Sequence, residues 1–224
     1  MDAHIRSFWW GHSSNGGHAV CLKAWDSICK PLSCGGLGFH RIKDFNVALL
    51  SKWGWNLINN EDSLCLSILR ARYLRHLDFL EAVPKSGDSS FWKSILATKS
   101  IIKEGACLIV GDGFSIDPWK DPWVPNAVDF RPNLISEAGV DNTRVKDFIL
   151  QQGIWDFGKL LNHFNREDAV KIANIILPIR PRPDKWAWMP NANGKFSSKS
   201  AYLIANKQRF SASFDIPKAD WLRL

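Results

Sequence analysis

The chain has 224 residues, 46% of them hydrophobic, including twelve tryptophans and thirteen phenylalanines, which is enough for one large or two small packed domains and excludes wholesale disorder. The formal charge is +7 and the pI near 9.2, spread as +3 over residues 1–60, +1 over 61–110, −3 over 111–150 and +6 over 151–224. A basic protein with an acidic middle suits an acidic partner such as nucleic acid better than a membrane surface, and no apolar run is long enough to span a bilayer.

Residues 1–40 are rich in Gly, Ser, His and Cys and show no sustained period, and GGLGF at 35–39 predicts a tight turn. From Asp44, a candidate N-cap, Phe45, Leu49, Trp53 and Leu57 recur every four residues. With Ala48 and Ile58 they predict an amphipathic helix ending near Asn59 and Asn60. A second helix is expected from Asp62 to Leu74, with Leu64, Cys65, Ile68 and Leu69 inward and Arg70, Arg72 and Arg75 outward. A third starts at Ser89 or Ser90, buries Trp92, Ile95, Leu96 and Ile102, and stops at Gly105.

The period then switches to two. CLIV, GDG and FSIDPW read as strand, turn and strand, and residues 125–142 read as loop. Short helices are expected at 144–152, 156–164 and 166–176, the last capped by Asn165, with Pro178 just beyond it. RPRPD at 180–184 reads as a linker, KWAWM-NANG-GKF as a second hairpin, and Ser198 to Asn206 as a final helix. The expected fold is α+β, mostly helical, with two small β-hairpins. Its expected divisions are a helical region over 1–125, a loop at 126–142, and short helices with a hairpin and helix over 143–224.

The stretch GDGFSIDPWKDPWVP, residues 111–125, carries Asp112, Asp117 and Asp121. A calcium loop needs oxygen ligands at alternate positions and glycine at the sixth. Counted from Asp112 those places fall on Phe114, Ile116 and Asp117, so the stretch reads as architecture, with Trp119 and Trp123 packing inward. His12, His18, Cys21, Cys29, Cys34 and His40 offer one close pair, at 18 and 21, which is too little for zinc. Five scattered cysteines without a C-x-x-C pair, and no signal-like start, predict reduced thiols in an intracellular location, nuclear or cytoplasmic.

No nucleophile elbow, phosphate loop or adjacent pair of aspartates occurs. The expectation is therefore no catalytic residue, no metal, no cofactor and no small-molecule substrate. What remains is basic residues set among aromatics: Arg41, Lys43 and Lys52 on or before the first helix, Arg70 and Arg72 on the second, and Lys195 and Lys199 around Phe196. These are the candidate nucleic-acid contacts, able to neutralise phosphates without reading a base sequence.

The order of segments carries a resemblance. IRSFWWG, AWDSICKP, GGLGF, FNVALLSKWGW, LRARYL, SFWKSIL, GDGFSIDPWKDPWVP, the lone Trp155 and DKWAWMPNANGKFSSKSAY follow one another as in plant LINE-type (non-LTR) retrotransposon reverse transcriptase polyproteins. The likeness covers nearly the whole chain and lies downstream of the polymerase core. Its signature positions here are Gly35, Gly36, Gly38, Trp53, Trp92, Gly111, Gly113, Trp119 and Trp123. Leu32 stands where that family usually has lysine, and Leu108 where it usually has tryptophan.

In that family this region joins the reverse transcriptase to a zinc-binding segment, often followed by ribonuclease H. The chain is expected to stop about where the zinc-binding segment begins. The resemblance implies a non-catalytic, thumb-like connector touching template RNA or RNA–DNA hybrid, with an upstream polymerase domain as a further partner. The alternative is a decayed structural remnant or protein-interaction module, which predicts an exposed apolar patch at Trp9, Trp10 and Trp25.

Overall fold

Small polar residues start most of the longer helices. The computed structural model describes residues 2–11, 23–32, 35–133, 142–151 and 153–207. Its helices are α1 (Asp2–Trp9), α2 (Trp25–Ile28), α3 (Ile42–Ile58), α4 (Leu64–Tyr73), α5 (Ser90–Leu96), α6 (Lys99–Gly105), α7 (Phe157–His163), α8 (Arg166–Ala173) and α9 (Ser198–Ala205). Two strands, β1 (Ala106–Ile109) and β2 (Lys185–Trp188), and short 3₁₀ turns at Val128–Phe130 and Val145–Phe148 complete the described structure. The fold is mostly helical α+β, as expected.

Ser63, Ser89, Asp156, Asn165 and Ser197 each accept a hydrogen bond from the N–H three residues on. This satisfies a donor that the first helical turn cannot use itself. Helix α3 is different. It starts two residues before Asp44, its N-cap Arg41 makes no side-chain cap, and the Ile42 N–H is taken by the carboxylate of Asp2 at 2.9 Å.

The inward faces of α3 and α4 differ in part from the expected ones. Ala48 and Leu57 are buried as expected, together with Ser51, Gly54 and Trp55, while Phe45 and Leu49 are 41% and 45% exposed. The cause is geometric. Residues spaced strictly by four drift about 40° per step around a helix, so Phe45 and Leu57 stand about 120° apart and cannot share one narrow face. On α4, Leu66 and Leu69 are buried, and Leu64, Cys65 and Ile68 point outward. Arg70 fixes that rotation by donating to the carbonyls of Asn56 and Glu61.

The two expected hairpins are replaced by one sheet. β1 pairs antiparallel with β2, Ala106 opposite Trp188 and Ile109 opposite Lys185. The other side of β1 is met by the end of the aspartate-rich stretch, where Leu108 donates to the Pro122 carbonyl at 2.7 Å. The chain does turn after β2, with the Trp188 N–H on the Gly194 carbonyl, but GKF adds no strand and leads instead to the cap of α9.

Two hydrophobic cores result. The first packs α3, α5, α6 and α9 around Trp55, Trp92, Ile102 and Trp188. The second packs β1, the 111–125 stretch and residues 145–172 around Trp123, Phe148, Phe164 and Ile172. Trp186 borders both. Each core draws on both β1 or its neighbours and segments far along the chain, so α9 lies against α3 and α6 from beyond the 126–142 segment.

Candidate functional site

The seven candidate cations fall into two groups. Arg41 is ion-paired with Asp26, and Arg70 is bound to backbone carbonyls at the turn from α3 to α4. These two hold the fold together. Lys43 and Lys52 on α3, Arg72 on α4, Lys195 before α9 and Lys199 on α9 are exposed. No ion pair is found for these five among the described residues. Arg72 lies over the ring of Tyr73 at 5.3 Å. Because α3 packs against both α4 and α9, all five belong to the first core's surface.

Aromatic rings lie among them. Trp53 meets Phe91 edge-on at a centroid distance of 5.6 Å. Tyr73 stacks on Trp92 at 4.7 Å with a 3° interplanar angle, and its hydroxyl meets Ser89 Oγ at 3.1 Å. That hydrogen bond, outweighing partial burial, brings the Tyr73 phenol below its ordinary pKa. His40 sits edge-on to Tyr202 at 4.6 Å, fixing the start of α3 against α9.

The 111–125 stretch is an architectural element, and its principal tie comes from a residue read as linker. The Asp184 carboxylate accepts from the N–H groups of Gly111, Gly113 and Ser115 at 2.7, 2.9 and 3.0 Å, and from the Ser115 hydroxyl at 2.7 Å. Successive backbone N–H groups turned to one point form an anion cradle, and here an internal carboxylate fills it. Gly111 is required because a Cβ there would lie 2.1 Å from the Arg182 carbonyl oxygen. Gly113 combines φ +73° with an equally crowded site against the Lys146 backbone.

The other aspartates also bind backbone. Asp112 accepts from Phe114 N–H, Asp117 from those of Trp119 and Lys120, and Asp121 from that of Asp117. Burial pushes the Asp121 carboxyl above its usual value despite that bond, and the nearby Asp117 charge adds to the rise. Trp123 is fully buried and donates from Nε1 to the Pro118 carbonyl, while the half-buried Trp119 packs against Phe164.

Among the described residues Asp168 is the most enclosed carboxylate, 1% exposed. It accepts from Asn133 N–H and Nδ2, from Asn165 Nδ2 and from Lys171 Nζ. Burial alone would raise its pKa, but the bonds from Lys171 and Asn133 outweigh burial and hold it below the usual carboxylate range. Lys171 is raised in turn by Asp168 and then Glu167. Sequence reasoning missed Asp184 and Asp168 alike, since no local spacing connects Asp184 with Gly111, 73 residues away, or Asp168 with Asn133, 35 away.

Among the described residues no group of three or more His, Cys, Asp and Glu side chains is placed to hold a metal. Cys29 and Cys107 are buried, and burial pushes the Cys107 thiol far above its usual value, leaving it unreactive. His12, His18, Cys21 and Cys34 lie outside the described residues. No described helix is long and apolar enough to cross a membrane. At the N-terminal end, Phe8 is 87% and Trp9 46% exposed, while Trp10 and Trp25 are half-buried; Trp9 and Trp25 meet Phe39 at 4.6 and 5.8 Å.

Two curated proteins of Arabidopsis thaliana are similar to the chain. "Putative ribonuclease H protein At1g65750" is 30% identical over 213 residues, 90% of this chain and 33% of that protein. "Uncharacterized mitochondrial protein AtMg00310" is 31% identical over 133 residues, 59% of this chain and 86% of that protein. The chain thus spans about a third of the first relative and most of the second. No family model matches the chain, and no solved structure does.

Proposed function

The chain belongs to the family of that Arabidopsis mitochondrial protein, and from this premise we propose that it is a non-catalytic, nucleic-acid-contacting connector of a LINE-type (non-LTR) retrotransposon reverse transcriptase. The ribonuclease H name of the longer relative, aligned over 90% of this chain, supports a retroelement polyprotein as its setting. In that setting the first core stands beside the polymerase like a thumb and steadies template RNA or RNA–DNA hybrid.

The observation that carries this reading is the division of charge. Residues 41–109 with 185–207, which build the first core, hold fourteen Lys and Arg against seven Asp and Glu. Residues 110–184 hold nine against eleven. Lys43, Lys52, Arg72, Lys195 and Lys199 are exposed on the positive part, where they can neutralise phosphates. Its non-catalytic character is supported by the use of Asp112, Asp117, Asp121, Asp168 and Asp184, whose carboxylates are committed to backbone N–H groups.

The test is binding of the purified chain to labelled RNA, DNA and RNA–DNA hybrid across a salt series. The expected result is an affinity falling steeply with salt, with a slope of roughly three or more phosphates neutralised. Lys52→Glu with Lys199→Glu should lower that slope by about one per lysine lost. A folded chain that binds none of the three at low salt overturns the reading. The exposed Phe8 and Trp9 favour a second reading, a protein-docking remnant without nucleic-acid contact, and that outcome would select it.

A further inference from the structure

An aromatic pair with one exposed ring lies on the first core, which also carries the exposed cations. Phe91, near the start of α5, is 41% exposed and meets the half-buried Trp53 of α3 edge-on at 5.6 Å. Leu49, one turn back on α3, is 45% exposed. The pair is held firmly. α3 and α5 pack along the first core, Ser89 caps α5 by accepting from Trp92 N–H at 3.2 Å, and the next side chain, Trp92, is buried in that core.

Two exposed cations are linked to it through the chain or through contacts. Lys52 precedes Trp53 on α3 and is exposed. On α4, Arg72 lies over Tyr73, whose hydroxyl meets Ser89 two residues before Phe91. An exposed ring on a surface that carries cations can receive an unstacked base and the phosphates beside it, because every base has a π-face. A duplex keeps its bases stacked on one another and offers such a surface only phosphate and sugar.

We propose that Trp53 and Phe91 form a base-stacking platform, so that this face takes single-stranded RNA in preference to RNA–DNA hybrid. The proposal rests on the nucleic-acid reading above and names the class of nucleic acid for the same surface. The positive excess of the first core, present despite Asp88 beside the start of α5, favours a polyanion over a neutral apolar partner. Lys52 and Arg72 hold the phosphates, and Phe91 supplies the face for one base.

The experiment compares the full chain with its Phe91→Ala and Phe91→Tyr variants on single-stranded RNA and on an RNA–DNA hybrid of equal length, by fluorescence anisotropy over a salt series. Phe91→Ala is expected to weaken single-strand binding about five- to hundredfold, with the salt slope unchanged because no phosphate contact is lost. Phe91→Tyr keeps the ring and the affinity, and hybrid binding stays constant. If Phe91→Ala does not fold, Phe91→Leu removes the aromatic face while keeping the bulk, and the same loss is expected.

Single-strand binding that survives Phe91→Ala, or Phe91→Leu where that variant replaces it, overturns the platform and leaves the nucleic-acid reading standing. An equal loss on hybrid overturns it too. Absence of all binding by the folded wild-type chain overturns both. A mass that rises with concentration and returns to monomer in Phe91→Ala would assign the face to a second copy instead, and would likewise overturn the platform.

Discussion

The two cores reach order by different means. The first is built by ring on ring: Trp55 meets Trp188 at 5.5 Å and Phe196 at 5.8 Å, and Trp188 donates from Nε1 to Ser200 Oγ. The second has shorter helices and more loop, and carboxylates tie its turns to distant backbone. Acids are therefore concentrated where they bind N–H groups, which leaves the helical core with a positive excess. One region uses its acids as architecture, and the other keeps an excess of exposed cations.

This contrast can be broken most directly at Trp188. Trp188→Ala removes a fully buried ring from the first core and is expected to cost about 3–5 kcal/mol, read by chemical denaturation. A loss of less than about 1 kcal/mol would mean that aromatic packing does not hold that core.

Asp184→Ala addresses the other mode. Four hydrogen bonds to a partly exposed carboxylate are lost, and a cost of about 2 kcal/mol is expected. Amide exchange at Gly111, Gly113 and Ser115 should accelerate while α3 keeps its protection. Equal acceleration in both regions would show that the ties of the second core are shared by the whole molecule.

A smaller effect is expected for the acid limb of stability. Asp168 is depressed in the folded state, so its contribution is complete above the ordinary carboxylate pKa of about 4 and is lost as pH falls through its own lower value. Asp168→Asn should flatten that limb, measured as melting temperature against pH. An unchanged acid limb would remove Asp168 from the ties that matter. Lys199→Ala should sit at the bottom of the scale, within about 0.5 kcal/mol of wild type, since its charge is in solvent; a larger cost would make it part of the fold.

Much of the local structure was legible in the sequence, because caps act within three residues. Ser89 and Asn165 start the helices expected of them, and α7, α8 and α9 fall where the apolar spacing put them. Helix rotation was less legible. α3 is apolar on several sides, so hydrophobicity alone placed Ala48 and Leu57 inward correctly but could not decide between Phe45 with Leu49 and Trp55.

Non-local pairing was not legible at all. CLIV and KWAWM each read as half of a local hairpin, and no period in either reveals that they pair with one another. Asp184 illustrates the same limit, because a proline-flanked aspartate looks like linker until the loop it binds is in place. Among the candidate cations, composition named exposed and fold-bound residues alike. Lys52 and Arg70 differ only in whether a carbonyl lies within reach.

The pairing of Ile109 with Lys185 makes the molecule a host with a guest inside it. Residues 110–184 leave the sheet and return to it at neighbouring strands, about 5 Å apart, so the host chain is interrupted by a loop whose two ends nearly touch. A short turn joining 109 to 185 would close β1 onto β2 without moving either. Excision of the guest would expose Leu108 and Trp186 but spare the contacts of α3, α5, α6 and α9. A change in the insert's length is therefore expected to fall on the second core and to leave the packing of α3, α5, α6 and α9 in place.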